Sequence, residues 1–362
     1  MSVPLKHKSS PFDSTPQSVC VLRLSAIGDT CHVLPVIRTL QLAWPQTRFT
    51  WIIGKLEAKL LGHIPDIEFI VVDKRDFRAA WRTLREAMRG RQFDVLMHMQ
   101  LALRASLLST LVPAKVRLGF DRSRARELQW LFTTNRLRPA ARQHVMDSLF
   151  GFAEKFHVYE KLLRWDIPIP AAAREYAERV APDGEQTLVI SPCSSHSLRN
   201  WRNDYYAQVA DYAAGNLGMR VLLCGGPSEF ERATGADIIG RMNQRCENLI
   251  GKDTLLEFLA TLERATILLS PDSGPAHMAS AVGTPVIGLY AATNPARSGP
   301  YLSRQWCIDK YDAASRLVYG KPASEIPWTT KIERPGVMDL ITPDEVIRKL
   351  HSVLLMLARR KH

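Results

Sequence analysis

The chain has 362 residues, 48 Lys and Arg against 36 Asp and Glu, and 46% hydrophobic residues. This length exceeds one ordinary core and predicts two domains, and the composition is that of a globular protein. Every apolar run is shorter than the roughly 18 residues of a membrane span. The polar N-terminus lacks a secretory core, and six scattered cysteines without a CxxC pair indicate reduced thiols in a cytosolic protein.

The net charge of +12 is concentrated in the first half of the chain. Residues 1–166 hold 26 basic against 15 acidic side chains, whereas the remainder holds 22 against 21. Nine basic residues fall between positions 100 and 142. A solvated basic face is the ordinary explanation of this cluster. The functional explanation is a surface that binds phosphate, carboxylate or nucleic acid. The partner of the first half is therefore predicted to be anionic.

Strands and helices alternate along this half. A strand is predicted at 18–24, followed by a loop at 25–29. Further strands are predicted at 48–53, 69–72 and 93–99, and helices at 30–44, 75–91, 103–111 and 145–158. The helix over 75–91 is basic and amphipathic, and its aromatic residues Phe77 and Trp81 are expected to pack in the core, with contact to lipid headgroups as the alternative.

The segment 165–170 breaks this pattern, because two close prolines stiffen a linker and exclude a helix. We place the domain boundary there, which gives an N-terminal domain of residues 1–166 and a C-terminal domain of residues 167–362.

The second half repeats the alternation. Strands are predicted at 187–190, 219–224, 266–269 and 285–290, and helices at 201–216, 229–242, 255–263 and 343–361. Both halves thus share one α/β plan, a Rossmann-like, doubly wound parallel sheet, and the two sheets are expected to face a central cleft. Packing of the last helix against the first domain is one option.

The stretch 270–290, SPDSGPAHMASAVGTPVIGLY, predicts a strand, a tight loop, a short helix and a strand. Backbone N–H groups of Ser273 and Gly274 at the helix start form a candidate anion site, with the helix dipole behind them. Asp272 lies beside this site and His277 follows in the first turn. A helix cap with an incidental histidine is the alternative.

Two other loops follow predicted strands. Asp29 is predicted to be either an N-cap or a general base at a cleft wall. The segment 191–201, SPCSSHSLRNW, offers the hydroxyls of Ser194 and Ser195 and the cation of Arg199, which suit a diphosphate.

Glu229 follows a Gly-Gly turn and is a candidate for binding two ribose hydroxyls. Neither half opens with G-x-G-x-x-G, and the chain contains neither G-x-x-x-x-G-K-[ST] nor D-x-D. A nicotinamide cofactor, ATP hydrolysis and a divalent metal on a sugar nucleotide are therefore disfavoured.

The segments VLRLSAIGDTCHVLPVIRTL (21–40), SPCSSHSLRNW and SPDSGPAHMASAVGTPVIGLY resemble glycosyltransferase family 9 over nearly the whole chain. This family includes the heptosyltransferases that build the inner core of lipopolysaccharide. The resemblance implies the GT-B fold and inverting transfer from an ADP-heptose, without a bound metal or other cofactor. The chain is most similar to the heptosyltransferase I branch, which adds the first heptose to a Kdo residue of lipid A.

The resemblance also implies roles for single residues. Asp29 matches the catalytic aspartate, and Ser194 and Ser195 match two threonines that touch the donor diphosphate. Arg199 stands where the family has a phosphate-binding lysine, which keeps the charge but changes its geometry. The other donor-binding matches are Glu229, Asp272, Ser273, Gly274 and His277. The family's apolar adenine contact has no clear counterpart in LIGKDT (249–254).

The predicted activity is transfer of heptose from ADP-L-glycero-β-D-manno-heptose to Kdo-lipid A, with Asp29 as general base. The acceptor is predicted to bind the first domain through Arg104, Arg122 and Arg124. The predicted location is cytoplasmic, peripheral to the cytoplasmic face of the inner membrane.

Two alternatives remain. One is another GT-B enzyme, such as a later-acting heptosyltransferase or a UDP-sugar epimerase or transferase. The other is a basic nucleic-acid-binding protein, but no helix-turn-helix, zinc-finger or RNP signature is visible, and no nucleic-acid partner is predicted.

Overall fold

The computed structural model describes residues 12–360 of the chain. The first eleven residues of the polar N-terminal segment and the predicted helix end at Lys361 lie outside the described residues. The chain divides into two compact units. The first holds the described residues up to Ala141 together with Val145–Ile167, and the second holds Arg142–His144 and the chain from Pro168 onwards.

The first unit contains six strands and five helices within its described residues. The strands are β1 (Ser18–Leu22), β2 (Arg48–Gly54), β3 (Ile67–Val72), β4 (Phe93–His98), β5 (Ala114–Gly119) and β6 (Asn135–Arg136). The helices are α1 (Ile27–Ala43), α2 (Lys55–Leu61), α3 (Phe77–Ala87), α4 (Leu103–Ser109) and α5 (Val145–Glu154). The strands form one parallel sheet in the order β3-β2-β1-β4-β5-β6.

The second unit repeats this architecture. Its strands are β7 (Thr187–Ile190), β8 (Arg220–Leu223), β9 (Glu247–Asn248), β10 (Ile267–Pro271), β11 (Val286–Tyr290) and β12 (Ile308–Asp309). Its helices are α6 (Ala171–Val180), α7 (Asn203–Leu217), α8 (Glu229–Gly240), α9 (Leu255–Arg264), α10 (Gly274–Ala281), α11 (Pro295–Ser298), α12 (Tyr311–Tyr319) and α13 (Pro343–Arg360). The parallel sheet has the order β12-β11-β10-β7-β8-β9.

Both sheets have the same strand order when each is counted from its own first strand. The order reverses between β1 and β4 in the first unit and between β7 and β10 in the second. Loops that leave the carboxyl ends of two such strands diverge and open a crevice, which is where open parallel sheets bind ligands. The predicted α/β class with two doubly wound parallel sheets is confirmed. The positions of the crevices predict ligand sites at the loops after β1 and β4 in the first unit and at those after β7 and β10 in the second.

The cores follow from the strand sequences. Side chains along β7, β10 and β11 are all buried, as expected for parallel strands covered by helices on both faces. Trp51 in β2 is fully buried, and its indole N–H donates to the carbonyl of Arg23 at 3.0 Å, so burial leaves no unsatisfied donor. The half-buried Phe77 and Trp81 of α3 pack against the core, which confirms core packing for these aromatic residues.

Several boundaries differ from the predictions. Helix α1 begins at Ile27, three residues before the predicted start, and it includes the buried Pro35. Ala26 is its N-cap, so the predicted N-cap role of Asp29 is wrong, because Asp29 is the third residue of the helix. Helix α13 buries Val346, Leu350 and Val353 in the core of its own unit. None of the six cysteines forms a disulfide, as predicted.

No helix found between residues 12 and 360 combines the length and the apolar character needed to cross a membrane.

Candidate active site

The Asp29 carboxylate lies beside the carboxyl end of β1. Its Oδ2 is 2.5 Å from an Arg23 guanidinium nitrogen, and the N–H of Ala26 donates to the same oxygen at 3.4 Å. Arg23 is buried and donates to the carbonyls of Ser25 and Met99 at 2.8 and 2.6 Å. These contacts fix the direction of the carboxylate while 37% of the Asp29 side chain stays exposed. An oriented carboxylate open to solvent is able to accept a proton from a substrate hydroxyl.

A cavity of about 190 Å³ opens beside this loop in the first unit. Its wall is polar and basic in part, with Ser25, Lys74, Gln100 and Arg104, and its remaining surface is largely apolar, with Leu24, Phe77, Ala80, Ala102, Ala105 and Leu108. The combination of cations with an apolar floor suits an anionic ligand that also has a carbon skeleton.

Three contacts hold Gln100 and Lys74 of the polar wall in place. The side-chain oxygen of Gln100 accepts the N–H groups of Leu24 and Ser25 at 3.1 and 3.3 Å. Lys74 Nζ lies 2.5 Å from a carboxylate oxygen of Glu57, which is 1% exposed. Sequence reasoning missed Lys74, Gln100 and the Arg23 partner of Asp29, although all of them lie within or next to loops that leave the sheet.

The three arginines predicted to bind an acceptor have different surroundings. Arg104 lines the cavity, and Arg122 is exposed and stacked 4.8 Å above the centre of the Trp130 ring. Arg124 is half-buried and forms an ion pair with Asp121, and it also donates to Ser148 Oγ and to the carbonyl of Arg138. Arg124 is therefore held by contacts within the first unit, whereas Arg104 and Arg122 are exposed.

In the second unit, the loop after β7 carries the predicted diphosphate ligands. Ser194 is held by two contacts, since its N–H donates to Asn200 Oδ1 at 2.7 Å and its hydroxyl donates to the His196 carbonyl at 2.9 Å. Ser195 is exposed. The loop is thus a turn in which the Ser194 hydroxyl is held by a hydrogen bond and Ser195 lies at the surface.

Arg199 ends this loop and belongs to a network of charges. Its Nε donates to Glu333 Oε1 at 2.7 Å, and one terminal nitrogen lies 2.7 Å from the same oxygen. The other terminal nitrogen lies 3.7 Å from Asp272 Oδ2. Each of these three side chains is less than one fifth exposed. The loops after β7 and β10 are therefore joined through one guanidinium.

The loop after β10 has the predicted arrangement of strand, loop and helix. Ser273 is the N-cap of α10, Gly274 is its first residue, and Pro275 follows. Ser270 and Ser273 share a hydrogen bond of 2.7 Å between their hydroxyls, and the buried His277 lies one turn into the helix. This helix start follows directly after the carboxyl end of β10, which is where the candidate anion site is predicted.

Lys331 and Glu333 were missed by sequence reasoning. Partial desolvation and the charge of Arg199 lower the pKa of Lys331, although part of its side chain stays exposed. Both residues lie in a segment without regular structure, more than 130 positions after Arg199 in the chain. No periodicity or motif in that segment signals a contact with the loop after β7.

The acidic residue that meets the Gly-Gly turn after β8 is Glu231. Its Oε2 accepts the N–H of Gly226 at 2.5 Å, and its other oxygen accepts from Ser228 at 3.2 Å. Glu229 is the exposed first residue of α8. The signal that finds Glu231 is the spacing of a capping box, with a serine N-cap and a glutamate three residues later.

Comparisons with known proteins give consistent matches. The profile described as "Glycosyltransferase family 9 (heptosyltransferase)" matches residues 81–326. The "Lipopolysaccharide core heptosyltransferase OpsX" of Haemophilus influenzae is 38% identical over 346 residues, which are 94% of this chain and 98% of the relative.

Two solved structures share the fold. The glycosyl transferase family 9 protein from Veillonella parvula has a TM-score of 0.77 and 23% identity, and the match covers 94% of this chain and 97% of that protein. E. coli heptosyltransferase WaaC with ADP has a TM-score of 0.70 and 22% identity, and the match covers 93% of this chain and 99% of that protein.

Proposed function

The chain belongs to glycosyltransferase family 9 and is a glycosyltransferase, and from that premise we propose that it transfers heptose from ADP-L-glycero-β-D-manno-heptose to a Kdo sugar of lipid A. The 38% identity to a lipopolysaccharide core heptosyltransferase supports the reaction class. The observation that carries the mechanism is the exposed carboxylate of Asp29, held by the buried Arg23 at the carboxyl end of β1.

Asp29 acts as the general base in this proposal. It takes the proton from the acceptor hydroxyl as that oxygen attacks the anomeric carbon of the heptose. The bond from the anomeric carbon to the diphosphate breaks on the opposite face, and ADP leaves with the electron pair, so the configuration inverts. The ion pair with Arg23 keeps the carboxylate oriented through the reaction.

The second unit binds the donor. Arg199, the hydroxyls of Ser194 and Ser195 and the N–H groups of Ser273 and Gly274 stabilise the charge that develops on the departing diphosphate. Lys331 adds a second cation near Arg199. These protein groups take the role that a metal has in other transferases. Asp272 and His277 complete the donor loop in this assignment.

We assign two carboxylates to the ribose hydroxyls. The resemblance implies Glu229, and we add Glu231 because its carboxylate lies at the turn after β8.

The first unit binds the acceptor. Kdo carries a carboxylate and lipid A carries phosphates, and the excess of basic residues in the first half complements these groups. The cavity beside the Asp29 loop, with Lys74 and Arg104 on its wall, has the chemistry for an anionic sugar. Arg122 adds an exposed cation.

Two finer assignments come from the resemblance of the motifs. One is the heptosyltransferase I branch, whose members add the first heptose to Kdo. The other is the location at the cytoplasmic face of the inner membrane, where a lipid-linked acceptor is made. A later-acting heptosyltransferase is the alternative.

The test is turnover of ADP-heptose with Kdo-lipid A, followed by mass spectrometry of the lipid product. We expect one added heptose. Asp29→Asn should lower kcat by about a hundredfold or more, as for a lost general base, with ADP affinity within about twofold of the parent. The matched control is Asp66→Asn, because Asp66 is exposed and its φ of 63° suits asparagine.

Turnover of Asp29→Asn within a few-fold of the parent would exclude Asp29 as the base. Competition by UDP rather than ADP would favour a different GT-B enzyme.

A further inference from the structure

Four large apolar side chains of the first unit are exposed close to one another, and we call them the leucine surface. Leu103 is 39% exposed, Leu107 38%, Leu128 52% and Leu131 59%. Single exposed leucines need no explanation, but a cluster of them marks a surface that meets a partner.

Hydrogen bonds show that these residues share one surface. The two helix leucines lie one turn apart on α4. At the start of α4, the N–H of Leu103 donates to Glu127 Oε2 at 2.7 Å. At its end, Arg117 donates to the carbonyls of both Ser109 and Phe132, at 2.7 and 3.0 Å. The segment 127–132 therefore runs along α4 from its first turn to its last.

The segment is firmly anchored beneath its exposed side chains. Gln129 is fully buried, and its amide nitrogen donates to the carbonyls of His98 and Gln100 at 2.8 and 3.0 Å. Its amide oxygen accepts the N–H of Phe120 at 3.3 Å. The leucines on either side of Gln129 are thus held outward by a fixed turn.

The rim of the leucine surface is basic. The exposed cations on α4, the segment 127–132 and the residues beside it are Arg104, Arg122, Arg126 and Arg136. Arg122 and Arg136 both lie over the Trp130 ring, at 4.8 and 6.0 Å from its centre. Of the acidic groups there, Glu127 accepts the Leu103 N–H and Asp121 is paired with Arg124.

We propose that the leucine surface docks on a bilayer rich in anionic phospholipid, with the leucines inserted below the headgroups and the arginines paired with phosphates. An apolar patch inside a cationic rim matches such an interface in both charge and polarity. The proposal rests on the proposed function for its purpose, since Arg104 belongs both to this rim and to the cavity assigned to the lipid-linked acceptor.

The neighbouring basic helix α3 lacks this combination. Its exposed face carries Arg78, Arg82 and Arg85, its half-buried aromatic side chains pack against the core, and every exposed residue of α3 is polar or charged. A nucleic-acid surface would need the cations but not the leucines.

The experiment is co-sedimentation of the full chain with vesicles of phosphatidylcholine, with or without phosphatidylglycerol. We expect binding only with phosphatidylglycerol. The double variant Leu128→Asn and Leu131→Gln should bind about tenfold more weakly or worse, because two side chains no longer enter the apolar layer. Asparagine suits the φ of 61° at position 128. Arg126→Gln with Arg136→Gln should lose a similar factor, and this loss should shrink as salt is raised.

Two control variants test whether the loss of vesicle binding is specific to the leucine surface or follows from removing any exposed leucines or arginines. Leu317→Gln with Leu355→Gln removes two leucines, 66% and 61% exposed, from helices of the second unit. Arg82→Gln with Arg85→Gln removes two cations from α3. Both pairs should bind vesicles like the parent, and all variants should melt within a few degrees of it.

Parent-like binding by the Leu128 and Leu131 variant would overturn the proposal, as would a loss confined to the α3 pair. It would also be overturned if the parent bound random DNA but not vesicles, or if the leucines only held two copies of the chain together in light scattering.

Activity provides a separate check. The Leu128 and Leu131 variant should act normally on a water-soluble acceptor from which the acyl chains have been removed, and poorly on acceptor in vesicles. A parent that binds vesicles but transfers no heptose to either acceptor would refute the proposed function and leave the docking surface standing.

Discussion

Arg199 joins the loops after β7 and β10, to which the proposed function assigns the donor. Two of its nitrogens lie 2.7 Å from a single Glu333 oxygen, whereas its contact with Asp272 is 3.7 Å long. Glu333 therefore sets the orientation of the guanidinium, and the looser side is directed towards the loop after β10. A planar cation in a fixed orientation is suited to two phosphate oxygens at once.

We predict that Arg199→Gln raises the donor KM by about tenfold or more. The change removes a charge-assisted hydrogen-bond donor and leaves Asp272 and Glu333 without their shared cation near the diphosphate. The measurement is the KM for ADP-heptose together with ADP binding by calorimetry. Arg202→Gln is the control. Arg202 lies three positions after Arg199, is exposed and is paired with Asp204. A shift in the acceptor KM alone would contradict the assignment.

At the scale of elements, a half-buried acid lies at the start of α9, the helix that pairs with α6. Ala173 and Ala177 pack against Ala260, and these small side chains let the two helices approach closely. Asp253 immediately precedes the N-cap of α9, and burial raises its pKa to about 7. Burial and the charge of Asp253 raise the pKa of Tyr176 in α6 to about 12. The junction of these elements therefore prefers a neutral Asp253.

This preference predicts a pH dependence of stability. Between about pH 4 and pH 7 the folded state binds a proton at Asp253 that the unfolded state has released, so stability falls as pH rises through this window and levels off above it. The loss is about 1.4 kcal/mol per pH unit at most. Asp253→Asn should therefore gain stability relative to the parent as pH rises from 5 to 8.

Thermal melting of both proteins at pH 5, 6.5 and 8 measures this difference. A difference in melting temperature that stays constant across these values would show that Asp253 ionises normally in the folded chain. Asp183→Asn, at a side chain that is 97% exposed, is the control for the substitution itself.

At the scale of the whole molecule, the unequal distribution of charge supports the proposed binding of donor and acceptor by different halves. The first 166 residues hold 26 basic against 15 acidic side chains, and the rest are close to balance. A nucleotide-sugar donor needs a few cations at a defined point, and in the proposed function Arg199 and Lys331 are these cations. An acceptor with several anionic groups benefits from a field spread over a wide surface.

We predict that charge reversal at Arg104 and Arg122 weakens acceptor binding and leaves the donor KM unchanged. The loss should be several-fold to tenfold per contact and should shrink as salt is raised, because exposed charges are screened. The acceptor KM at two salt concentrations is the measurement, with Arg82→Glu and Arg85→Glu as the control. A donor KM that moves while the acceptor KM stands still would reverse the assignment of the halves.

The sequence by itself determined the features that depend on short continuous segments of the chain. Buried parallel strands give apolar runs, and tight loops need glycine, proline and short polar residues, so the alternation of both halves and the unit β10–α10–β11 were predictable. The family resemblance was recognisable for the same reason, because the motifs that carry it are three continuous segments. Two-residue strands such as β6, β9 and β12 lack any such signal, since pairing with a neighbouring strand defines them.

Tertiary structure alone decided which side chains meet. Glu333 reaches Arg199 across 134 positions, and Arg124 donates to the hydroxyl of Ser148, which lies 24 positions further along the chain. The leucine surface likewise exists only because the segment 127–132 is hydrogen-bonded along α4. In each case the contact joins residues that are far apart in the chain and depends on how the chain folds back on itself. Local sequence periodicity does not indicate such contacts.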